Sequence, residues 1–152
     1  MRITSQEFIK NLLQANLFLI ALDQDNNWFR YHHLFRELLI NQLAQRFSQE
    51  EIDNMHLKAA QWFNEQDLHD EAIDQYLKAG DALSAAIVVE QQAHLIFEKG
   101  DLGGMDSWLN KIPGDICDQR PALLLLHAWN AFGSFHLEKI PPLIEKSGAL
   151  LR

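Results

Sequence analysis

The spacing of hydrophobic residues changes within the first third of the chain. Four apolar residues first recur at helical spacing, namely Phe8, Ile9, Leu12 and Leu13. This spacing predicts a helix over residues 3–15. Two strand-length runs follow, NLFLIALD at 16–23 and WFRYH at 28–32, joined by the polar turn formers DQDNN. Short apolar or aromatic runs on either side of a polar turn predict a β-hairpin.

The helical spacing returns at Leu34. One apolar stripe consists of Leu34, Phe35, Leu38, Leu39, Leu43 and Phe47. Polar residues lie largely opposite this stripe, so we expect an amphipathic helix that packs through its apolar face. Ser48 and Glu51 have the spacing of a capping box, which predicts that the next helix begins there.

Capping residues divide the rest of the chain into further helices. Gly80 predicts the end of a helix over roughly 69–79, and Asp81 predicts the start of a long helix that ends at Gly100. The remaining predicted elements are a helix over 101–113, a loop over 114–121 and two apolar helices over 122–135 and 137–151.

The joints between these helices recur at a regular interval. They are centred on Gln66, Gly100 and Gly133. The intervals between them are about 34 residues, the length of a tetratricopeptide-type helix pair. Such pairs stack because one pair cannot bury its apolar face alone. The alternative is that similar spacings arise by chance in any helical bundle. The pattern predicts a mainly α fold, in which a β-hairpin with its helices precedes an array of antiparallel, tetratricopeptide-like helix pairs.

Composition narrows the classes of function. The 152 residues carry a net charge of −8, whereas nucleic-acid binding usually needs a basic face. The single cysteine, Cys117, excludes an internal disulfide framework and is typical of a reducing, cytoplasmic setting. No apolar run has the length of a membrane span. The last residues form a helix-like run without a stop signal, so we expect the chain to be part of a longer protein.

Candidate chemistry centres on the adjacent residues His32 and His33 in the run WFRYHHLF. Adjacent residues of a strand point to opposite faces, so we do not expect these two imidazoles to share a metal ion. From the residues alone, His32 is better explained as a cap of the following helix or as packing beneath the hairpin.

No other residues form a self-contained active site. Cys117 precedes Asp118, and neighbouring negative charge disfavours a thiolate. The chain has neither a Gly-x-Ser-x-Gly elbow nor a glycine-rich phosphate loop with a lysine. We therefore expect no catalytic residue, no metal site and no enzymatic activity.

The tryptophans could form binding platforms or belong to the core. They are Trp28, Trp62, Trp108 and Trp129. Each lies on an apolar stripe, so burial in the core is the prediction.

Three strings together resemble the large transcriptional activators of the MalT type. They are LLQANLFLIALDQDNNWFRYHHLFRELL, HLKAAQWFNEQDLHDEAIDQYLKAGD and RPALLLLHAW. The order of a helix, a hairpin and then helix pairs adds to this resemblance, which runs from about Ser5 to the end of the chain. Proteins of this type are signal-transduction ATPases (STAND proteins) with a LuxR-type DNA-binding domain.

The resemblance implies a domain organisation. Residues 1–48 would be a winged-helix-like segment with the hairpin as its wing, and residues 49–152 a helical arm with the first tetratricopeptide-like repeats. The nucleotide-binding and DNA-binding domains would lie outside this chain. We therefore expect no cofactor in this fragment, ATP or ADP in the full-length protein, and no direct contact of this fragment with nucleic acid or membrane.

The resemblance also implies a role for His32. In this class of ATPase, a winged-helix histidine contacts the β-phosphate of ADP and holds the resting state closed. His32 matches that position, and His33 matches a variable one. The implied partners are the nucleotide-binding domain of the same protein and an effector or protein that the sequence does not identify.

Three hypotheses of function follow. The leading one is a non-catalytic regulatory fragment that couples a nucleotide-binding domain to a helical-repeat effector sensor. The alternative is a stand-alone helical-repeat module for protein–protein interaction, with the hairpin as a cap. A winged-helix DNA binder is disfavoured because the wing sequence DQDNN lacks basic residues.

Overall fold

The structure is a computed structural model that describes residues 7, 11–12, 18–23, 29–99 and 102–152. The chain divides into two compact units, residues 1–49 and residues 50–152. The predicted first helix, residues 3–15, lies largely outside the described part of the chain. Three of its residues are described, Glu7, Asn11 and Leu12, and they are helical.

The first unit contains the predicted hairpin. Strands β1 (Leu19–Ala21) and β2 (Phe29–Tyr31) pair in antiparallel orientation, with Leu19 opposite Tyr31 and Ala21 opposite Phe29. Of the predicted polar turn at residues 23–27, Asp23 is described and residues 24–27 lie outside the described part of the chain. This register brings the residue before β1 next to the residue after β2.

Helix α1 (His33–Arg46) follows the hairpin directly. It begins one residue before the predicted start, and none of its residues is buried. Leu34 and Leu38 of the predicted stripe are each more than half exposed. The amphipathic pattern is therefore present, but within the described residues the apolar face remains largely open.

Helices α2 (Gln49–Glu65) and α3 (His69–Lys78) come next. Helix α2 begins directly after Ser48, as predicted. A hydrogen bond of 2.7 Å between His56 Nδ1 and Gln75 Oε1 links the two helices.

Capping residues set the junction between α3 and the following helix. Gly80 has a φ of 74°. Its N–H donates to the Leu77 carbonyl (3.1 Å), and the N–H of Asp81 donates to the Tyr76 carbonyl (2.9 Å). This is the Schellman arrangement, which needs a left-handed residue and so favours glycine. The Asp81 carboxylate then accepts the backbone N–H of Ser84 (3.0 Å) and its hydroxyl (2.6 Å), which confirms the predicted N-cap.

Five more helices complete the second unit. They are α4 (Ala82–Lys99), α5 (Leu102–Lys111), α6 (Gly114–Cys117), α7 (Pro121–Gly133) and α8 (Ile140–Leu150), the last preceded by a 3-10 turn at Leu137–Lys139. The stretch predicted as a loop thus contains the one-turn helix α6. Prolines lie in the first turns of α7 and α8, where their missing N–H costs no hydrogen bond.

The repeat is visible in the helix ends. Helices α2, α4 and α7 end at Glu65, Lys99 and Gly133. These ends are evenly spaced at about 34 residues, the period of tetratricopeptide-type helix pairs. Asp67 (φ 58°) and Phe135 (φ 60°) take the left-handed conformation at equivalent positions in the turns after α2 and α7. The turns thus follow the same spacing as the helix ends.

The core of the second unit lies among α3, α4, α5, α6 and α7. Its largest fully buried apolar side chains are Ile73, Val89, Met105, Leu109, Leu123 and Leu124. The guanidinium of Arg120 donates two hydrogen bonds to the carboxylate of Glu90 (2.7 and 2.5 Å) and so ties the start of α7 to α4. The prediction of a mainly α fold with a β-hairpin is confirmed.

The predicted burial of tryptophan was only partly right. Trp108 packs against the core, and its indole N–H donates to Asp70. Trp62 and Trp129 are 49% and 47% exposed, so the core assignment was wrong for both. Their stripes lie on faces that the described helices leave open. Trp28 lies outside the described residues.

No helix in the described part of the chain is long and apolar enough to cross a membrane.

Candidate functional site

The hairpin and α1 meet at His32. The backbone N–H of His32 donates to the Phe18 carbonyl (2.6 Å), which extends the strand pairing by one residue. The His32 carbonyl accepts the N–H of Arg36 (2.9 Å), and the backbone of His32 is extended (φ −54°, ψ 140°). His32 is therefore the N-cap residue of α1, and its backbone is fixed to both elements.

The N-terminus of α1 has no side-chain cap. No side-chain hydrogen bond closes this end, and the first turn contains no acidic residue. The first N–H groups of a helix have no partner within the helix, and the helix dipole makes this end positive. The electrostatics of the junction therefore favour an anion over a cation.

Aromatic rings hold the His32 side chain. The imidazole of the half-buried His32 lies 4.3 Å from that of His33 and 6.2 Å from the Phe18 ring, measured between ring centroids. Phe35 contacts both Phe18 (5.7 Å) and Tyr31 (5.5 Å). The rings form one cluster around the junction.

The prediction that His32 and His33 face opposite sides was wrong. It assumed that both residues belong to a strand, but β2 ends at Tyr31 and His33 is the first residue of α1. The backbone turns between them, which brings the two rings together. Across the described ranges, no three His, Cys, Asp or Glu side chains come close enough to hold a metal ion.

Phe18 is a site residue that the sequence did not reveal. It directly precedes β1 and has a φ of 53°, which is unusual for a bulky residue. Its carbonyl fixes the His32 backbone and its ring contacts the His32 imidazole. In the sequence it is one of several apolar residues in a predicted strand, with no signal to distinguish it.

An apolar groove lies on α1 close to this junction. It has a volume of about 400 Å³. Its lining residues are Tyr31, Arg36, Leu39, Ile40, Gln42, Leu43, Arg46 and Phe47. Arg36 and Arg46 are the only charged residues among the described lining residues, so the groove combines an apolar floor with positive charge.

Cys117 does not form a second reactive site. The thiol is buried, and its pKa is raised by burial and by the carboxylates of Asp118 and Asp115. The Sγ atom lies 3.8 Å from the carbonyl oxygen of Ile112. The thiolate is disfavoured, as the flanking acidic residues predict.

Comparison with known proteins places the junction in a family context. Residues 2–51 match the family model of the MalT winged helix domain. The HTH-type transcriptional regulator MalT of Vibrio parahaemolyticus is 27% identical over 139 residues, which are 91% of this chain and 15% of that protein. MalT of Klebsiella pneumoniae is 32% identical over 132 residues, 84% of this chain and 14% of that protein. The chain is thus similar to a fragment of MalT-like regulators, and its first third matches their winged helix domain.

Another relative of this MalT-like chain is named as a protein kinase and not as a transcriptional regulator. The serine/threonine-protein kinase PknK of Mycobacterium tuberculosis is 33% identical over 113 residues, 74% of this chain and 10% of the kinase. The chain therefore spans 15% or less of the length of these relatives. No solved structure matches the chain significantly.

The MalT winged-helix match contains the whole candidate site. The hairpin, His32, His33 and α1 all fall within residues 2–51. The match ends shortly after the start of α2, whereas the matches to the MalT proteins cover most of the chain. The helical repeats of this MalT-like chain are thus part of the similarity to whole regulators.

Proposed function

We propose that this chain is a regulatory segment of a MalT-like transcriptional regulator of the cytoplasm. In this proposal it transmits the state of a nucleotide-binding domain to a helical-repeat effector sensor. The observation that carries the proposal is the placement of His32 within the winged-helix match, as the N-cap residue of a helix without a side-chain cap.

His32 is proposed to contact the β-phosphate of ADP in the full-length protein. The positive end of α1 favours phosphate, and an imidazole N–H can donate a hydrogen bond to a phosphate oxygen. The contacts of the His32 ring with Phe18 and His33 limit its rotation. A pre-oriented donor beside a helix N-terminus is the arrangement that a phosphate sensor needs.

The nucleotide-binding domain of the same protein is the proposed partner of α1. Leu34 and Leu38 are exposed on α1, and the groove on the same helix is apolar with two arginines. Exposed apolar surface of this kind is typical of an interface. ATP or ADP would belong to that domain, and we propose that this fragment alone holds no cofactor and contacts no nucleic acid.

Nucleotide retention in the full-length protein tests the role of His32. We expect His32→Ala to accelerate ADP release about tenfold or more, because a hydrogen bond to a charged group contributes about 1.5–3 kcal/mol. The release rate is measured by stopped-flow with a fluorescent ADP analogue.

His33→Ala is the matched control and should change the release rate much less, because His33 is the exposed member of the pair. Equal ADP release in wild type and His32→Ala would contradict the sensor role. In the isolated chain, calorimetry should detect no ATP binding. A measurable affinity for ATP would contradict the proposal that nucleotide binds only to the nucleotide-binding domain.

The second candidate function is a stand-alone helical-repeat module for protein–protein interaction. The observation that favours it is a second apolar groove, on α7 and α8, which lies far along the chain from the winged-helix match. Polar substitutions in this groove test the candidate. If they leave the function of the regulator unchanged, that result counts against it.

A further inference from the structure

Phe18 combines features that are seldom found together in one residue. It directly precedes β1, its backbone is left-handed (φ 53°), and its side chain is 59% exposed. A left-handed backbone is costly for a residue with a Cβ atom, and it is rare for a bulky one. Burial does not offset this cost, because more than half of the side chain is open to solvent. The reason for a phenylalanine at this position therefore lies in its contacts.

The contacts of Phe18 converge on His32. Leu19 pairs with Tyr31 in the hairpin, so the next opposing pair consists of the two residues just outside the strands. The carbonyl of Phe18 accepts the N–H of His32 (2.6 Å), and the Phe18 ring lies 6.2 Å from the imidazole. Side chains opposite each other in an antiparallel pair interact directly. Phe18 thus holds both the backbone and the side chain of His32.

The ring of Phe18 also has a neighbour on α1. It lies 5.7 Å from the ring of Phe35, which in turn contacts Tyr31 of β2 (5.5 Å). Phe35 is itself half-buried and belongs to the first turn of α1. The Phe18 ring can restrict the imidazole because its own movement is restricted by the helix.

The backbone strain at Phe18 shows which part of the residue matters. Strained residues persist where the surrounding structure imposes them, and they cluster at functional sites. Glycine or asparagine adopts a left-handed backbone at a lower cost, and either would still supply a backbone carbonyl to His32. Neither of them supplies an aromatic ring. The ring is therefore what distinguishes Phe18 from less strained alternatives.

We propose that Phe18 is a positioning residue for His32, whose ring restricts the rotation of the imidazole and so keeps a ring N–H directed at the nucleotide phosphate. This inference rests on the proposed contact of His32 with ADP. It adds that the contact depends on an aromatic ring at residue 18. Immobilising a side chain on binding costs free energy, so an imidazole that is already restrained binds phosphate more tightly.

The orientation of the imidazole is tested in the chain itself, by NMR of the His32 ring protons. An aromatic ring shifts the signals of protons that lie close to it. Phe18→Asn removes the ring, keeps the backbone carbonyl and tolerates the left-handed backbone. We expect it to move the His32 signals towards those of the exposed His136. Phe18→Tyr keeps the ring and should keep the signals near their wild-type positions.

ADP release from the full-length protein tests the consequence for nucleotide retention. We expect Phe18→Asn to accelerate release about three- to tenfold, which corresponds to the cost of immobilising one side chain. Phe18→Tyr should restore the wild-type rate. In a His32→Ala background, Phe18→Asn should have no further effect, because the ring acts only through His32. A purely structural role would instead accelerate release equally in both backgrounds.

Phe135 provides a matched control. It is a second exposed phenylalanine with a left-handed backbone (φ 60°), and it lies in the other compact unit. Phe135→Asn makes the same chemical change at the same backbone conformation, away from His32. It should leave both the His32 signals and the rate of ADP release unchanged.

Three outcomes would overturn the proposal. The first is a set of His32 signals that Phe18→Asn leaves unchanged. The second is wild-type ADP release in Phe18→Asn alongside faster release in His32→Ala. The third is an effect of Phe18→Asn that persists in full when His32 is absent. If the His32 signals move but neither variant changes ADP release, the nucleotide contact of His32 is refuted, whereas the restriction of its ring by Phe18 is supported.

Discussion

His127 shows how burial alters the chemistry of a single side chain. It lies half-buried on α7, and burial lowers its pKa, while the carboxylates of Asp106 and Asp118 act in the opposite direction. The neutral imidazole is therefore favoured in the folded chain. The sequence places His127 on a predicted apolar helix, but it does not show how deeply the ring is buried.

The lowered pKa of His127 has a consequence for stability. Because the unfolded chain binds a proton more readily at this residue, the stabilising contribution is complete above about pH 6.5 and is lost as pH falls below it. We expect His127→Gln to reduce the loss of unfolding free energy between about pH 7 and pH 5. Urea unfolding at several pH values measures this difference.

His136→Gln is the control for the His127 experiment, since His136 is exposed. It should leave the pH profile close to that of wild type. If His127→Gln retains the full wild-type dependence on pH, burial of His127 does not contribute to acid sensitivity.

At the scale of elements, the turns between helices are set by single residues. Three described turns end a helix with a left-handed residue, at Asp67, Gly80 and Phe135. Only Gly80 has the residue type that this conformation favours. Aspartate tolerates this conformation better than most residues, whereas Phe135 keeps it because α7 and α8 pack against each other and determine the path of the chain between them.

Phe135 therefore stores backbone strain that a substitution can relieve. Its side chain is 87% exposed, so little burial is lost when it is removed. We expect Phe135→Gly to stabilise the fold by about 0.5–1 kcal/mol, because glycine adopts a positive φ without a steric cost. Chemical denaturation at low protein concentration measures the change.

Phe135→Ala separates strain from loss of the ring. Alanine removes the exposed aromatic side chain but retains the Cβ atom that makes a positive φ costly. It should give no stabilisation, and an equal gain from both variants would show that the ring and not the backbone is responsible.

At the scale of the whole molecule, buried apolar residues are concentrated in the second unit. Every buried apolar residue among those described lies at Ala60 or later. The first unit contributes the hairpin and α1, in which every apolar residue whose burial is described is at least partly exposed. The second unit thus has a core of its own, whereas the described part of the first unit has none.

This distribution predicts that the helical repeats fold without the hairpin segment. A chain shortened to residues 48–152, which retains Ser48 before α2, should stay helical and unfold at the same urea midpoint as the whole chain, since its buried core is intact. Circular dichroism during a urea titration measures the midpoint. A non-cooperative transition would show that the repeats need residues 1–47.

Much of the fold could be predicted from the sequence because its signals are local. The hairpin follows from two strand-length runs around a polar turn, and the α3–α4 junction follows from Gly80 and Asp81 side by side. A capping hydrogen bond joins residues only a few positions apart, so a short stretch of sequence contains both partners. The repeat interval is likewise a property of the sequence itself.

The candidate site was predicted less completely. The sequence and its family resemblance pointed to His32, but the pairing of its ring with His33 depends on where β2 stops and α1 begins. Phe18 joins His32 only through strand pairing, which brings together residues from opposite ends of the hairpin. An offset of one residue in an element boundary was enough to reverse the predicted orientation of the two imidazoles.

By itself, the sequence determined where the helices and strands of this protein lie, how often the helix pairs repeat and which family the chain resembles. Only the tertiary structure decided which apolar faces are covered. Trp108 and Trp129 both lie on apolar stripes of helices, yet one packs on the core and the other stays half exposed. The physical reason is that hydrophobic periodicity specifies an apolar face, whereas burial requires a second element to lie against it.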